Sequence, residues 1–242
     1  MNLILEAAPA ISPTAMKATT KAHRTAEHVE VSGRNVRVDV FEPDSGRRGH
    51  TVLLLHGVGG LLGDGALMRR AAKKLAAHGC RACVVHYFNT TGTFFATHAN
   101  VRDHAAEWEA ALGVIARSYS RAGRGPVGVM GYSLGGMLAV RAAQKNPEIG
   151  AVAVLSGGLL EQHERRTPAH LPPLLVLHGG KDARVPPDRA DALAQMGRRA
   201  GAFVESVIYP GEGHTFGASA ERDALDRAGE FFAARLEAGA KS

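Results

Sequence analysis

A serine flanked by glycines stands near the middle of the chain, in the segment GYSLGG at 131–136. The pattern Gly-x-Ser-x-Gly, centred on Ser133, falls between an apolar run typical of a strand and an Ala-rich run typical of a helix. In that setting the pattern forms a sharp turn that presents the serine hydroxyl as a nucleophile. A plain glycine-rich turn is the alternative, and the strand-to-helix context makes it the weaker interpretation.

A serine hydroxyl becomes a useful nucleophile when a histidine takes its proton and a carboxylate orients that histidine. Around a turn of this kind, the acid and then the histidine follow the serine along the chain. Asp182 in HGGKDARVP and His214 in YPGEGHTF satisfy that order, and each comes directly after a predicted strand. We therefore predict a catalytic triad of Ser133, Asp182 and His214.

Other acids and histidines have weaker contexts. Asp182 could instead be a helix cap or a turn residue, but Asp188 falls on a predicted helix surface and Glu212 is only two residues from His214. A structural role is the better interpretation of His178 at a strand end. Two further histidines lie in an apparent loop without an identifiable partner, namely His163 and His170.

Two backbone amides are candidates for stabilising the oxyanion of an acyl-transfer reaction. The residue after the nucleophile, Leu134, begins a predicted helix, whose N-terminus favours negative charge. The second donor should come from the segment HGVGG at 56–60, where Val58 is the first candidate and Gly59 the second. A phosphate-binding loop is a poorer interpretation, because the segment lacks both Gly-x-Gly-x-x-Gly and Gly-Lys-Ser/Thr.

Strand and helix patterns alternate along the chain, which predicts a mostly parallel sheet of about eight strands with helices on both faces and an antiparallel hairpin at one edge. In such sheets ligands bind beyond the carboxyl ends of the strands. The predicted triad residues all follow strands at that end. Predicted helices include 64–78, 98–121, 134–146, 187–200 and 219–238.

Composition favours an ordinary globular protein. The chain has 242 residues and a net charge of +6, but its basic residues are scattered in short groups and form no known nucleic-acid motif. No apolar run is long enough to span a membrane. The start of the chain lacks the basic region of a signal peptide, so we expect a loosely ordered lead-in at 1–24, a single domain at 25–242, and a cytoplasmic protein. Oligomeric state is left open.

The segments LLLHGVGG, GYSLGG, HGGKDARVP and YPGEGHTF together resemble the α/β-hydrolase fold and, within it, the dienelactone hydrolase family. The similarity runs from about residue 31 to residue 238. It implies hydrolysis of a carboxylic ester or lactone through an acyl-enzyme, without metal or cofactor. It assigns Ser133 as nucleophile, Asp182 as acid and His214 as base, with Val58 and Leu134 at the oxyanion positions.

The chain departs from the namesake enzymes of that family at two positions. They carry a cysteine where this chain has Ser133, and a glutamate where it has Gly57. A generic serine carboxylesterase acting on a small molecule is therefore the expected function. Peptidase or acyltransferase activity with the same triad, and a catalytically silent binding protein, are the alternatives. The segment 156–172 is too short for a large cap domain.

Several side chains near these motifs in sequence are candidates for binding substrate, although core packing is the alternative for the aromatic ones. They are Tyr132, Phe94, Phe95, Leu159, Arg184 and Phe216. Arg184 could meet a substrate carboxylate or face solvent. The pair Cys80 and Cys83 has the spacing of a redox or metal motif, but it spans a helix end and a strand start and supplies too few ligands for zinc.

Overall fold

A computed structural model describes residues 23–43, 49–159 and 168–239. Within these ranges eight strands form one sheet: β1 (His23–Val31), β2 (Arg34–Glu42), β3 (Thr51–Leu55), β4 (Arg81–Val85), β5 (Val127–Tyr132), β6 (Ile149–Leu155), β7 (Leu174–Gly179) and β8 (Val204–Tyr209). Most of the predicted lead-in, 1–22, lies outside the described residues, and β1 begins at His23.

The strand order across the sheet is β1-β2-β4-β3-β5-β6-β7-β8. β2 runs antiparallel to both of its neighbours, while β4, β3 and β5 to β8 are mutually parallel. The predicted fold class, a mostly parallel eight-stranded sheet with an antiparallel hairpin at one edge, is confirmed. No large cap domain covers the sheet within the described ranges.

The described ranges contain six α-helices: α1 (Gly60–Gly63), α2 (Gly65–Ala77), α3 (His98–Tyr119), α4 (Leu134–Ala143), α5 (Pro187–Arg199) and α6 (Ala218–Gly239). The predicted helices agree with these bounds to within a few residues. At the start of α3, the Thr97 side chain accepts the Asn100 N–H and the Asn100 side chain accepts the Thr97 N–H, which is a capping box. Two short elements, α1 and a 3₁₀ turn at Tyr87–Thr90, were not predicted.

The core has two layers, one on each face of the sheet. Side chains of α3, α4 and α5 pack on one face, including Trp108, Leu138 and Leu193. Side chains of α2 and α6 pack on the other face, including Leu75 and Phe232. Neighbouring residues of β3 alternate between the two layers, and all five are buried. This explains why a parallel strand covered on both faces has a continuous apolar sequence.

No helix within the described part of the chain is long and apolar enough to cross a membrane. The parallel strands end at a common edge, where the loops after β3, β5, β7 and β8 converge. These loops contain the residues that the sequence predicts to carry chemistry.

Candidate active site

Ser133 occupies the turn between β5 and α4 with φ 53° and ψ −119°, a backbone conformation that side chains rarely adopt. The turn is too tight for larger neighbours. A Cβ on Gly131 would lie 2.2 Å from the Gly135 carbonyl carbon, and a Cβ on Gly135 would lie 2.4 Å from the Leu55 carbonyl oxygen. Both glycines are therefore required by close backbone approach, as the sequence pattern predicts.

Three side chains from three loops meet at this turn. His214 Nε2 lies 3.0 Å from Ser133 Oγ, and His214 Nδ1 lies 2.8 Å from Asp182 Oδ2. Asp182 Oδ1 accepts the backbone N–H groups of Arg184 and Val185 at 2.9 and 3.0 Å. The Asp182 side chain has no exposed surface, and three hydrogen bonds fix its carboxylate in a site shielded from water.

The fixed carboxylate determines the protonation pattern of the histidine. Asp182 accepts a hydrogen bond from the Nδ1–H of His214, which leaves Nε2 as a lone-pair acceptor facing Ser133. Tyr132 supports the imidazole from behind, with ring centroids 5.3 Å apart and the Tyr132 hydroxyl 3.4 Å from the His214 carbonyl oxygen. Burial raises the pKa of Tyr132, so its phenol stays neutral. This arrangement can activate a serine hydroxyl by general-base catalysis.

The rival residues lie outside the hydrogen-bond chain from Asp182 to Ser133. His178 is fully buried beside the acid: its Nε2 donates to the Val185 carbonyl oxygen at 2.9 Å and lies 3.4 Å from Asp182 Oδ2. Glu212 accepts the Gly217 N–H, and Asp188 lies exposed in the first turn of α5. His170 is exposed, and His163 lies outside the described residues.

Val58 and Leu134 both line the cavity into which Ser133 opens. Leu134 is the first residue of α4, where amide N–H groups have no partner within the helix. Neither the Val58 N–H nor the Leu134 N–H donates a hydrogen bond to another described residue. Two free amides beside a nucleophile are the donors that an oxyanion hole requires. The runner-up, Gly59, has its amide turned toward Asp64.

The cavity has a volume of about 470 Å³ and a mostly apolar wall. Its size suits a small organic ligand. The polar lining beyond Ser133 and His214 comes from Arg184, Thr97 and His98, and the remaining lining side chains are Val58, Ala96, Val101, Leu134, Met137 and Val185.

The predicted substrate-binding residues divide into those near this cavity and those away from it. Arg184 lines it, and Tyr132 lies behind His214. Phe94 and Phe95 are 74% and 65% exposed and do not line it, although Phe94 borders a neighbouring cavity of about 310 Å³. The other two are core residues in opposite layers, Leu159 beside α5 and Phe216 against Tyr209.

Sequence reasoning missed most of the wall. Met137 lies one helical turn after Ser133, a spacing that could have identified it. Thr97 and His98 form the start of α3, and nothing in their local sequence indicates that this helix begins beside β5. Their position depends on long-range packing between loops.

The two cysteines have no redox environment. Both are buried, and burial raises the pKa of Cys80 to about 11 and that of Cys83 to about 12. Thiols with such pKa values stay protonated and unreactive at neutral pH. Within the described ranges, no group of three or more His, Cys, Asp or Glu residues could hold a metal ion.

Comparisons with known proteins agree with this geometry. The model of the dienelactone hydrolase family matches residues 36–236. A Yersinia pestis protein named "Putative carboxymethylenebutenolidase" is 28% identical over 124 residues, which cover 48% of this chain and 43% of that protein. The chain therefore matches less than half the length of this curated relative.

Solved structures share the fold. A crystal structure titled "Putative Dienelactone Hydrolase", from Klebsiella pneumoniae, has a TM-score of 0.71 at 22% identity and covers 89% of this chain and 99% of its own. A thermostable esterase from Pseudomonas putida has a TM-score of 0.72 at 19% identity, with 89% and 83% of the two chains covered.

Proposed function

This chain belongs to the dienelactone hydrolase family, and we propose that it is a serine hydrolase that cleaves a carboxylic ester or lactone through an acyl-enzyme. The observation that carries the proposal is the chain of hydrogen bonds from Asp182 through His214 to Ser133, with separations of 2.8 and 3.0 Å. This order of groups supplies a base to the nucleophile and a counter-charge to the base.

In the proposed reaction, Ser133 Oγ attacks the carbonyl carbon while its proton passes to His214 Nε2. The imidazolium that forms is stabilised by the Asp182 carboxylate. The amides of Val58 and Leu134 hydrogen-bond to the oxyanion of the tetrahedral intermediate. When that intermediate collapses, the bond to the alcohol oxygen breaks and His214 returns the proton to the leaving group. Water, deprotonated by the same His214, then cleaves the acyl-enzyme.

The cavity suggests the substrate class. Its apolar wall suits a short alkyl or aryl group, and its volume of about 470 Å³ limits the substrate to a small molecule. Arg184 is the only lysine or arginine among the described residues lining the cavity. We propose that its guanidinium binds a carboxylate of the substrate, because Arg presents donors that match carboxylate geometry.

The test is hydrolysis of p-nitrophenyl acetate by wild type, Ser133→Ala and His214→Ala. Wild type should show a burst of p-nitrophenol that matches the enzyme concentration, because p-nitrophenol is a good leaving group and acylation is then faster than hydrolysis of the acyl-enzyme. Both variants should lose turnover. A wild type that leaves a panel of short esters and lactones intact would refute the proposal, and equal turnover of matched anilides would favour the peptidase alternative.

Arg184 is tested separately with a charged substrate. Arg184→Gln should raise KM for p-nitrophenyl hydrogen succinate and leave KM for the uncharged acetate unchanged, because only the first ester carries a carboxylate. Arg189→Gln on α5 is the matched control, since Arg189 does not line the cavity. Equal effects of Arg184→Gln on the two esters would contradict a role in binding the carboxylate.

A further inference from the structure

Asp64 lies between α1 and α2, in the position that caps the start of α2. Aspartate in that position normally accepts an amide N–H of the helix that follows. Here the side chain makes no such hydrogen bond. Its carboxylate is turned back toward the loop after β3, which is the loop that contains Val58. The carboxylate is therefore used for something other than starting its own helix.

The carboxylate fits between two glycines of that loop. Asp64 Oδ2 accepts the Gly57 N–H at 2.9 Å. A Cβ on Gly57 would lie 3.0 Å from this oxygen and 3.1 Å from Ser133 Cβ, and a Cβ on Gly59 would lie 2.9 Å from Asp64 Oδ1. Asp64 thus packs directly under the oxyanion loop, one side-chain layer from the nucleophile.

One backbone amide of the loop after β3 has no hydrogen-bond acceptor among the described residues. The Asp64 carboxylate accepts a hydrogen bond from the Gly57 N–H, and the Gly59 N–H also faces this carboxylate. The Gly60 N–H donates to the Gly57 carbonyl oxygen at 3.2 Å, and the Val58 carbonyl oxygen accepts the Ala96 N–H at 2.7 Å. The amide of residue 58, between the two that the carboxylate engages, has no acceptor among the described residues.

Partial burial of the Asp64 carboxylate disfavours its charged form. Burial raises the pKa of Asp64, and the amides of Gly57 and Gly59 oppose that rise by stabilising the charged form. A partly buried carboxylate is held in place strongly when it accepts backbone N–H groups, because charge-assisted hydrogen bonds are about twice as strong as neutral ones. The loop is therefore clamped by a group that an uncharged side chain cannot fully replace.

We propose that Asp64 is a positioning residue for the oxyanion hole, whose carboxylate holds the loop so that the Val58 N–H meets the oxyanion of the tetrahedral intermediate. This inference rests on the proposed hydrolase function. Asp64 acts through the backbone and does not touch the substrate. Its effect should therefore appear in the transition state and not in the binding of the ester.

The experiment compares Asp64→Asn with the wild-type enzyme on p-nitrophenyl acetate. Asparagine keeps the shape but presents an NH₂ group to one of two amide donors, so the loop shifts. We expect kcat to fall about 100-fold with little change in KM, because a misplacement of about 1 Å has that effect on a catalytic group. Asp103→Asn, at an exposed position of α3, is the matched control and should retain full activity.

Phenylboronic acid separates positioning from a merely structural role. Ser133 Oγ adds to boron while its proton passes to His214, and the tetrahedral anion that forms resembles the reaction intermediate. Its inhibition constant should rise in Asp64→Asn by about the factor by which kcat/KM falls. An unchanged inhibition constant, or an unchanged kcat in a folded variant, would overturn the proposal while leaving the hydrolase function intact.

Two further outcomes are informative. If wild type hydrolyses no ester, the proposed function and this inference both fail. If Asp64→Asn does not fold, hydrogen exchange of the backbone amides in the wild-type protein tests the inference. The Gly57 and Gly59 N–H groups should exchange slowly in the free protein. The Val58 N–H should become protected when phenylboronic acid binds. Rapid exchange at both glycines, or no protection at Val58, would overturn the inference.

Discussion

Replacing Asp182 by asparagine should stop catalysis while keeping the fold. Asp182 Oδ1 accepts two backbone N–H groups, from Arg184 and Val185, and Oδ2 accepts the N–H of His214. An asparagine keeps its carbonyl oxygen toward the two backbone donors, so its NH₂ group faces His214 Nδ1. That nitrogen must then become an acceptor, which moves the imidazole proton to Nε2. A protonated Nε2 cannot take the proton of Ser133.

The magnitude follows from the loss of the general base. A triad with the wrong histidine tautomer loses about 10⁴-fold in kcat. Since a factor of ten corresponds to about 1.4 kcal/mol, the barrier rises by about 5.5 kcal/mol. The free energy of unfolding should fall far less, by about 1–2 kcal/mol, because both backbone hydrogen bonds survive and lose only the assistance of the charge.

The assay is initial-rate hydrolysis of p-nitrophenyl acetate at neutral pH, with urea unfolding of the same samples. Ser133→Ala sets the floor of non-enzymatic hydrolysis. Asp188→Asn, exposed in the first turn of α5, is the matched control and should retain full activity. An Asp182→Asn protein that is folded and retains more than about a tenth of wild-type kcat would refute the tautomer argument.

Three further predictions concern stability and reactivity. Burial lowers the pKa of His56 from 6.5 to about 4, so the folded state loses stability as pH falls below 6.5. Between pH 7 and pH 5 the free energy of unfolding, measured with urea, should fall by about 2 kcal/mol. An equal fall in His56→Asn would show that His56 is not its cause. Gly135→Ala places a Cβ 2.4 Å from a carbonyl oxygen at the end of β3 and should lower the free energy of unfolding by about 3 kcal/mol. A Cβ on Gly63 would have no atom within 4 Å, so Gly63→Ala is the control. A similar loss of stability in Gly63→Ala would contradict the clash at Gly135. A thiol reagent such as DTNB should modify Cys80 and Cys83 only after unfolding, and rapid modification of the native protein would contradict their high pKa values.

The sequence was most informative where a local pattern has one structural meaning. The apolar runs of β3 and β7 are buried on both faces of the sheet. The end of each run marks the start of the loop that contains Val58 or Asp182. Gly-x-Ser-x-Gly defines the turn at Ser133 because backbone contacts exclude side chains at both glycines. These features are local, so periodicity and composition are enough to find them.

The wall of the cavity could not be found in this way. Phe94 and Phe95 follow a strand that ends near the site, yet both point away from the cavity with large exposed surfaces. Asp64 has the sequence context of a helix start, but its carboxylate bonds to the Gly57 amide across the α1 turn. The four-residue helix α1 is too short to show a hydrophobic period, so the sequence does not predict it. Its turn places the Asp64 side chain against the loop after β3.

Labelling of the purified protein with a fluorophosphonate, followed by mass spectrometry of the peptide that contains Ser133, tests directly whether Ser133 is an activated nucleophile. Only a serine that a base activates reacts rapidly with such a reagent. We expect one label per chain on Ser133, and loss of labelling in Ser133→Ala and His214→Ala. A folded wild type that stays unlabelled, or a label that persists on another residue in Ser133→Ala, would contradict that role.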